Sequence, residues 1–142
     1  MNTGENLENL LYHLAFVISR QSDQVLQERL GIGFSQLKII QVLQEKPHIQ
    51  QKEIANQLGQ TEASISRQIK LLISQGLLQS LRRSEDRREH ITTLTVKGER
   101  YADEARQIVE SYHKPLFDTI SQKEHDQLLG LLSRLHLQIC DH

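Results

Sequence analysis

Cysteine, proline and aromatic residues are scarce in this chain. A single cysteine, Cys140, permits no intrachain disulfide, which fits a reducing compartment. Two prolines and no tryptophan among 142 residues leave long stretches free to be helical. No apolar run approaches the roughly 20 residues that span a bilayer, and the polar start does not resemble a signal peptide. These features predict one cytoplasmic, mainly helical domain, residues 1–142.

Motifs that carry enzyme chemistry are also missing. The sequence has no phosphate-binding loop, no Gly-x-Ser-x-Gly elbow and no His-Glu-x-x-His. Its metal-ligating residues are loosely grouped near the C-terminus or scattered along the chain. His136, Cys140 and His142 form the loose C-terminal group, and His113 and His125 are among the scattered residues. The sequence therefore predicts no enzyme, no cofactor and no metal site.

Charge is unevenly distributed rather than large. The formal net charge is −1, so the whole chain does not attract nucleic acid through a general positive field. The segment from Arg67 to Arg88, however, contains six cationic and two anionic residues, whereas residues 1–30 contain four anionic and two cationic ones. The basic middle of the chain indicates an anionic partner there.

Apolar spacing and turn residues predict six helices and two strands. The helices cover about residues 6–30, a stretch capped by Ser35, residues 51–58, a stretch from the cap Thr61 to Gly76, a stretch from the cap Thr95 to about His113, and residues 124–139. Pro115 is expected to stop or bend the fifth helix. The strands lie at about residues 78–83 and 91–95, around a charged tip.

The third and fourth predicted helices form a helix-turn-helix pattern. A glycine-containing turn joins them, and an apolar stripe on each would hold the pair together. The opposite face of the fourth helix, with its cap, offers side chains suited to bases and phosphates: Thr61, Ala63, Ser64, Ser66, Arg67 and Lys70. The alternative is an ordinary amphipathic surface helix, which such a pattern also fits.

The tip between the two strands is rich in arginine. Arg82, Arg83, Arg87 and Arg88 surround Ser84, Glu85 and Asp86. Arginine inserted into a narrow minor groove meets an enhanced negative potential, and a neighbouring carboxylate can orient its guanidinium. Read alone, the run is a solvated turn; after a recognition-type helix it indicates a wing that contacts DNA.

The combined pattern resembles the multiple-antibiotic-resistance regulator (MarR) family of winged-helix transcription factors. Helix order extends the resemblance over essentially the whole chain. The matching segments are Lys52-Glu53-Ile54-Ala55, Ile65-Ser66-Arg67-Gln68-Ile69 with Leu72, Gly76-Leu77-Leu78, Asp86-Arg87-Arg88 and Leu94-Thr95-Val96-Lys97-Gly98.

The resemblance implies a mainly α fold with a small β-hairpin wing, in the order α-α-α-α-β-β-α-α. It implies dimerisation helices at residues 6–32 and 115–140 and a DNA-binding lobe at residues 35–98. Members usually bind pseudo-palindromic operators as homodimers and repress transcription. The family's Asp-x-Arg falls on Asp86 and Arg88, which makes Arg88 and then Arg87 the expected minor-groove residues. Ser66 stands where many relatives have threonine.

The terminal stripes favour a dimer independently, because they are more apolar than one small lobe can cover. The alternative is a monomer whose end helices pack against each other. By family analogy, a small aromatic or organic-anion effector would bind near Tyr12, His13, Phe16, Arg20 and Phe34. For these residues the plainer interpretation is core for Phe16 and Phe34, and a solvated charge for Arg20.

Two other functions stay open. One is a winged-helix protein-interaction module that does not bind DNA. The other is a regulator that responds to a metal or an oxidant, although the chain has no cysteine near its N-terminus and Cys140 lies two residues from the C-terminus.

Overall fold

The computed structural model describes residues 6–82 and 90–140. In this part of the chain the elements are α1 (Leu7–Leu30), α2 (Phe34–Glu45), α3 (Gln51–Leu58), α4 (Glu62–Ser74), β1 (Leu78–Arg82), β2 (His90–Leu94), α5 (Val96–Phe117) and α6 (Gln122–Cys140). The predicted class and element order are confirmed. None of the helices described here is long and apolar enough to cross a membrane.

The chain forms two compact units, Met1–Val109 and Glu110–His142. The first unit holds a continuous core of side chains that are almost fully inaccessible to solvent. Burial of such aliphatic side chains contributes about 1.5–3 kcal/mol each relative to exposure. The core includes Leu26, Ile32, Leu37, Ile39, Ile40, Leu43, Ile54, Ile65, Ile69, Leu72, Leu77 and Leu78.

The boundary between α1 and α2 corrects one prediction. Ser35 is not the cap of α2; the helix begins at Phe34, two residues earlier than a Ser35 cap would give, and Gly33 is its N-cap. The N–H of Gly33 donates to Oε1 of Gln36 at 2.8 Å, and the N–H of Phe34 donates to Oδ1 of Asp23 in α1 at 2.9 Å. Since a side chain from another helix satisfies the first turn, Ser35 is not needed as a cap.

The end of α5 corrects a second prediction. The helix does not stop before Pro115 but continues through it to Phe117. Proline removes one backbone donor, and here that loss falls in the last turn, where few further helical hydrogen bonds depend on it. Lys114 and Asp118 form an exposed ion pair at 2.6 Å across this end.

The last helix begins at Gln122, two residues earlier than expected. Ser121 and Glu124 form a reciprocal capping box: the N–H of Ser121 donates to Oε1 of Glu124 at 2.9 Å, and the N–H of Glu124 donates to Oγ of Ser121 at 3.1 Å. The hydrogen bonds from the Ser121 backbone and then from its side chain lower the pKa of Glu124.

Apolar side chains are exposed along both terminal helices of the single chain. On α1, Leu7 and Leu14 are exposed, and Leu10 lies at the margin of exposure. Within the second unit, α6 exposes many large apolar side chains: Leu128, Leu129, Leu131, Leu132, Leu135, Leu137 and Ile139. Surfaces of this kind mark sites of association.

Candidate nucleic-acid interface

A tight turn sets α4 against α3. Gly59 ends α3 with φ +64°, a left-handed conformation that glycine adopts without strain. Thr61 then caps α4, because its Oγ1 accepts from the N–H of Ser64 at 3.1 Å. This confirms the predicted cap and gives the helix-turn-helix its short connection.

Three apolar side chains fix the rotation of α4 about its axis. Ile65, Ile69 and Leu72 are at most 1% exposed and pack in the core with Ile54 and Ala55 of α3. Their spacing of four and three residues defines the buried side of the helix. The side that remains outside is therefore determined by the core.

The outward side of α4 carries most of the predicted reading residues. Ala63, Arg67 and Lys70 are exposed, and Ser66 is half-buried between them. Positions 63, 66, 67 and 70 lie on one helix face by their three- and four-residue spacing. These four residues are called the α4 outer face below.

Ser64 lies beside this face in a polar network that the sequence analysis did not anticipate. The Ser64 hydroxyl donates to Oε1 of Gln60 at 3.2 Å, and Nε2 of Gln68 donates to the same Gln60 oxygen at 2.9 Å and to Ser64 Oγ at 3.1 Å. Gln60 and Gln68 join the start of α4 to its middle. Their spacing of four residues on either side of Ser64 is the sequence signal for this network.

The hairpin follows α4 directly. β1 pairs with β2 in an antiparallel register that runs from Leu78 opposite Leu94 to Arg82 opposite His90. The backbone of Arg82 therefore lies at the end of the pair that leads into the tip. Of the other predicted wing residues, Arg83, Asp86, Arg87 and Arg88 lie outside the described residues.

The predicted effector residues are divided between two helices. Tyr12, His13, Phe16 and Arg20 are exposed on α1, and the Arg20 guanidinium lies 5.7 Å from the centre of the Phe16 ring. The suggestion that Phe16 is a core residue is wrong, since 64% of it is exposed. Phe34 at the start of α2 is half-buried against the core.

A cavity of about 420 Å³ lies elsewhere in the first unit, between the α1–α2 connection and α4. Its lining contains no charged residue, and none of the five predicted effector residues belongs to it. The amide oxygens of Gln68 and Gln75 are buried there without a hydrogen-bond partner. The lining residues are Gln27, Gly31, Gly33, Ser35, Gln36, Gln68, Leu71 and Gln75.

Across residues 6–82 and 90–140, no three His, Cys, Asp or Glu side chains are placed together to hold a metal ion. Nδ1 of His125 lies 3.4 Å from Oδ1 of Asp126. The His125 ring also packs edge-on against the Phe117 ring, with 6.5 Å between the ring centres. Of the C-terminal group, His136 lies on the exposed surface of α6, and His142 lies outside the described residues.

Comparison with known proteins gives the class of the chain. Residues 35–79 match a family described as winged helix-turn-helix DNA-binding. The HTH-type transcriptional regulator BilQ of Clostridium symbiosum (strain WAL-14163) is 27% identical over 108 residues, which is 76% of this chain and 75% of BilQ. The matched proteins are transcriptional regulators rather than enzymes, in agreement with the sequence analysis.

Solved structures narrow the resemblance to one family. The structure of a MarR/EmrR family transcriptional regulator from Acinetobacter sp. ADP1 matches with a TM-score of 0.80 and 25% identity over 100% of both chains. The transcriptional repressor CouR, bound to a 23-mer DNA duplex, has the same fold, with a TM-score of 0.81 and 24% identity over 94% of both chains. A structure of CouR from Rhodococcus jostii RHA1 bound to p-coumaroyl-CoA matches with a TM-score of 0.75 and 20% identity over 92% of this chain and 91% of that one.

The fold and the matched lobe define a winged helix-turn-helix DNA-binding protein. More narrowly, the chain is a DNA-binding transcriptional regulator that is similar to MarR-family proteins over its whole length.

Proposed function

We propose that this protein is a homodimeric repressor that binds pseudo-palindromic operators in double-stranded DNA and is released by a small-molecule effector. The observation that carries the proposal is the α4 outer face, which the buried side of the helix holds outward directly before a basic hairpin.

The α4 outer face has the chemistry of major-groove readout. Arg67 can donate two hydrogen bonds to O6 and N7 of guanine, Ser66 can reach a base or a phosphate, and Ala63 can contact a thymine methyl. Lys70, one turn further along, suits a backbone phosphate. Thr61 and Ser64 at the helix N-terminus lie where free N–H groups attract phosphate.

The wing completes the interface in this proposal. Arg88, and next to it Arg87, enters the minor groove, Asp86 orients the guanidinium groups, and Arg82 and Arg83 contact phosphates on the flank. These roles come from the family resemblance and from the position of the tip after β1.

Dimerisation is supported by the exposed apolar surfaces on α1 and α6, which a second copy of the chain would cover. Leu131→Glu should therefore lower the mass measured by light scattering from dimer to monomer. Leu81→Glu is the matched control, because Leu81 is similarly exposed, at 49% against 56%, but lies on β1. A dimeric Leu131→Glu protein would contradict the proposed interface.

The effector part of the proposal uses Tyr12, His13, Phe16 and Arg20 on α1, together with Phe34, the first residue of α2. The stacked Phe16 and Arg20 offer an aromatic surface with a cation, which suits an aromatic carboxylate. With 4-hydroxybenzoate as the probe, Arg20→Ala should raise the concentration needed to release operator DNA. Release that instead requires Zn²⁺ or peroxide would favour the metal- or oxidant-responsive alternative.

The deciding experiment begins with selection of bound fragments from genomic DNA by the purified protein. Binding of the selected operator should weaken steeply with salt, since phosphate contacts release counterions. Arg67→Ala and Arg88→Ala should each cost about 1–3 kcal/mol and relax preference at one operator position. If the triple variant with Arg67, Arg87 and Arg88 changed to Ala binds as well as the wild type, the alternative of a protein-interaction module is favoured. Because a repressor must reach chromosomal DNA, the cytoplasmic location belongs to the same proposal.

A further inference from the structure

Three carbonyl groups where the chain leaves α4 accept hydrogen bonds from the N-cap and the second residue of α5. Nζ of Lys97 donates to the carbonyl of Gln75 at 2.9 Å, and Oγ1 of Thr95 donates to the carbonyl of Gly76 at 2.6 Å. The N–H of Thr95 donates to the carbonyl of Leu77 at 3.1 Å. Three successive carbonyls thus depend on two residues that lie about twenty positions later in the sequence.

These contacts hold the three residues that follow α4, whereas the carbonyls of Leu71, Leu72 and Ile73 within the helix accept from the N–H groups of Gln75, Leu77 and Gly76. The last carbonyls of a helix have no partner within it and carry partial negative charge, which a cation stabilises. α4 has no basic residue in its own last turn, so Lys97 supplies that charge from α5. The left-handed Gly76, at φ +76°, directs the chain away from the helix axis at this point.

Lys97 is exposed, but its side chain also makes contacts beyond the hydrogen bond to Gln75. Its ammonium lies 5.5 Å from the centre of the Tyr101 ring, and Tyr101 packs against the core. Its Cδ also lies 3.9 Å from the point where a Cβ on Gly76 would be. The side chain therefore links α5 to the exit of α4 along a defined path.

We propose that Lys97 is a positioning residue for DNA recognition, which fixes the direction of α4 through the Gln75 carbonyl and does not itself contact phosphate. The inference rests on the proposed function, in which α4 is the recognition helix. Arg67 is about 12 Å along the helix from Gln75, so a tilt of about 5° moves it by about 1 Å. Such a shift exceeds the whole spread of good hydrogen-bond lengths, about 2.7–3.2 Å.

The test variant is Lys97→Met, and two other variants serve as controls. Lys70→Met removes one positive charge from the α4 outer face, and Lys97→Arg keeps a cation at position 97. For each full-length protein, the dissociation constant is measured with the selected operator and with a scrambled duplex at several salt concentrations. Stoichiometric titration gives the active fraction, and thermal unfolding gives the melting temperature.

For Lys97→Met we expect operator binding about 10-fold weaker, or about 1.4 kcal/mol, with scrambled-duplex binding unchanged. The slope of log K against log salt should match the wild type, whereas Lys70→Met should lower it by about 0.9 for each phosphate that the protein no longer neutralises. Lys97→Arg should restore most of the operator preference, because it also brings a cation to the Gln75 carbonyl.

Two results would overturn the inference. A lower salt slope, with equal weakening on both duplexes, would make Lys97 a phosphate contact. A change confined to active fraction or melting temperature, with the dissociation constants intact, would make it purely structural. A wild-type protein that does not distinguish the operator from the scrambled duplex would refute the proposed function itself, which separates the two failures.

Discussion

Replacing Gly98 with alanine tests the junction between α4, the hairpin and α5. Gly98 lies in the first turn of α5, and its N–H donates to Oγ1 of the cap Thr95 at 3.0 Å. A Cβ at this position would lie 2.1 Å from the carbonyl oxygen of Leu77 and 3.2 Å from Cδ2 of Leu94. The first obstacle is backbone, so it cannot rotate out of the way as a side chain would.

The size of the effect follows from that distance. Ordinary non-bonded contacts lie at about 3.5–4.0 Å, so α5 must move by more than about 1 Å from the Leu77 carbonyl. Overpacking of this kind costs about 1–3 kcal/mol. Loss of the hydrogen bond from the Thr95 N–H to the same carbonyl adds about 1 kcal/mol. We therefore expect Gly98→Ala to lower the free energy of unfolding by about 2–4 kcal/mol.

Urea unfolding at fixed protein concentration measures this change, since the stability of an associating protein depends on concentration. Gly130→Ala is the control. Gly130 lies inside α6, and among the described residues no atom beyond its own stretch of helix lies within 4 Å of the added Cβ. Alanine stabilises a helix interior by about 0.5–1 kcal/mol relative to glycine. If Gly98→Ala were as stable as the wild type, the argument from the close approach to Leu77 would be refuted.

Three further changes probe capping and charge. Thr61→Ala should cost about 1 kcal/mol in urea unfolding, since the Ser64 N–H loses its acceptor; an unchanged midpoint would contradict the cap. Glu124→Gln should lower the free energy of unfolding by a constant amount at pH values above the ordinary glutamate pKa. This difference from the wild type should disappear as pH falls through the lowered pKa of Glu124. A difference that does not depend on pH would contradict the charged capping box. Lys114→Met removes one positive charge, as Lys70→Met does, but Lys114 lies far from the α4 outer face in sequence. It should therefore leave the slope of log K against log salt for operator binding unchanged. A decrease in this slope equal to that of Lys70→Met would show that net charge controls binding.

Local signals were enough to predict the element order and two of the caps. Thr61 and Thr95 each stand immediately before an apolar helical repeat, and both accept from the N–H three residues on, at 3.1 and 3.0 Å. The buried stripe of α4 follows from its spacing for the same reason. Such features depend on residues that are close in sequence, which periodicity reports directly.

Contacts between distant residues explain what the sequence analysis missed. α2 starts at Phe34 because Asp23, eleven residues earlier, accepts from its N–H. The link from Lys97 to the Gln75 carbonyl spans 22 residues, and no periodicity indicates it. Pro115 was expected to end or bend α5, but a proline near a C-terminus removes too few hydrogen bonds to decide where the helix stops.

The near-neutral charge of the chain is compatible with operator recognition because screening makes electrostatics local. At about 0.1 M salt the Debye length is about 10 Å, so anions far from the DNA-facing surface scarcely oppose the cations on it. Arg67 and Lys70 project from a helix whose buried side is fixed, so their charge lies at a defined place. A chain without a general positive field also binds weakly to the large excess of non-specific DNA, which improves the ratio of specific to non-specific binding. The direction of α4, rather than the total charge, therefore governs recognition in this proposal, and the hydrogen bonds from Thr95 and Lys97 bear on function for that reason.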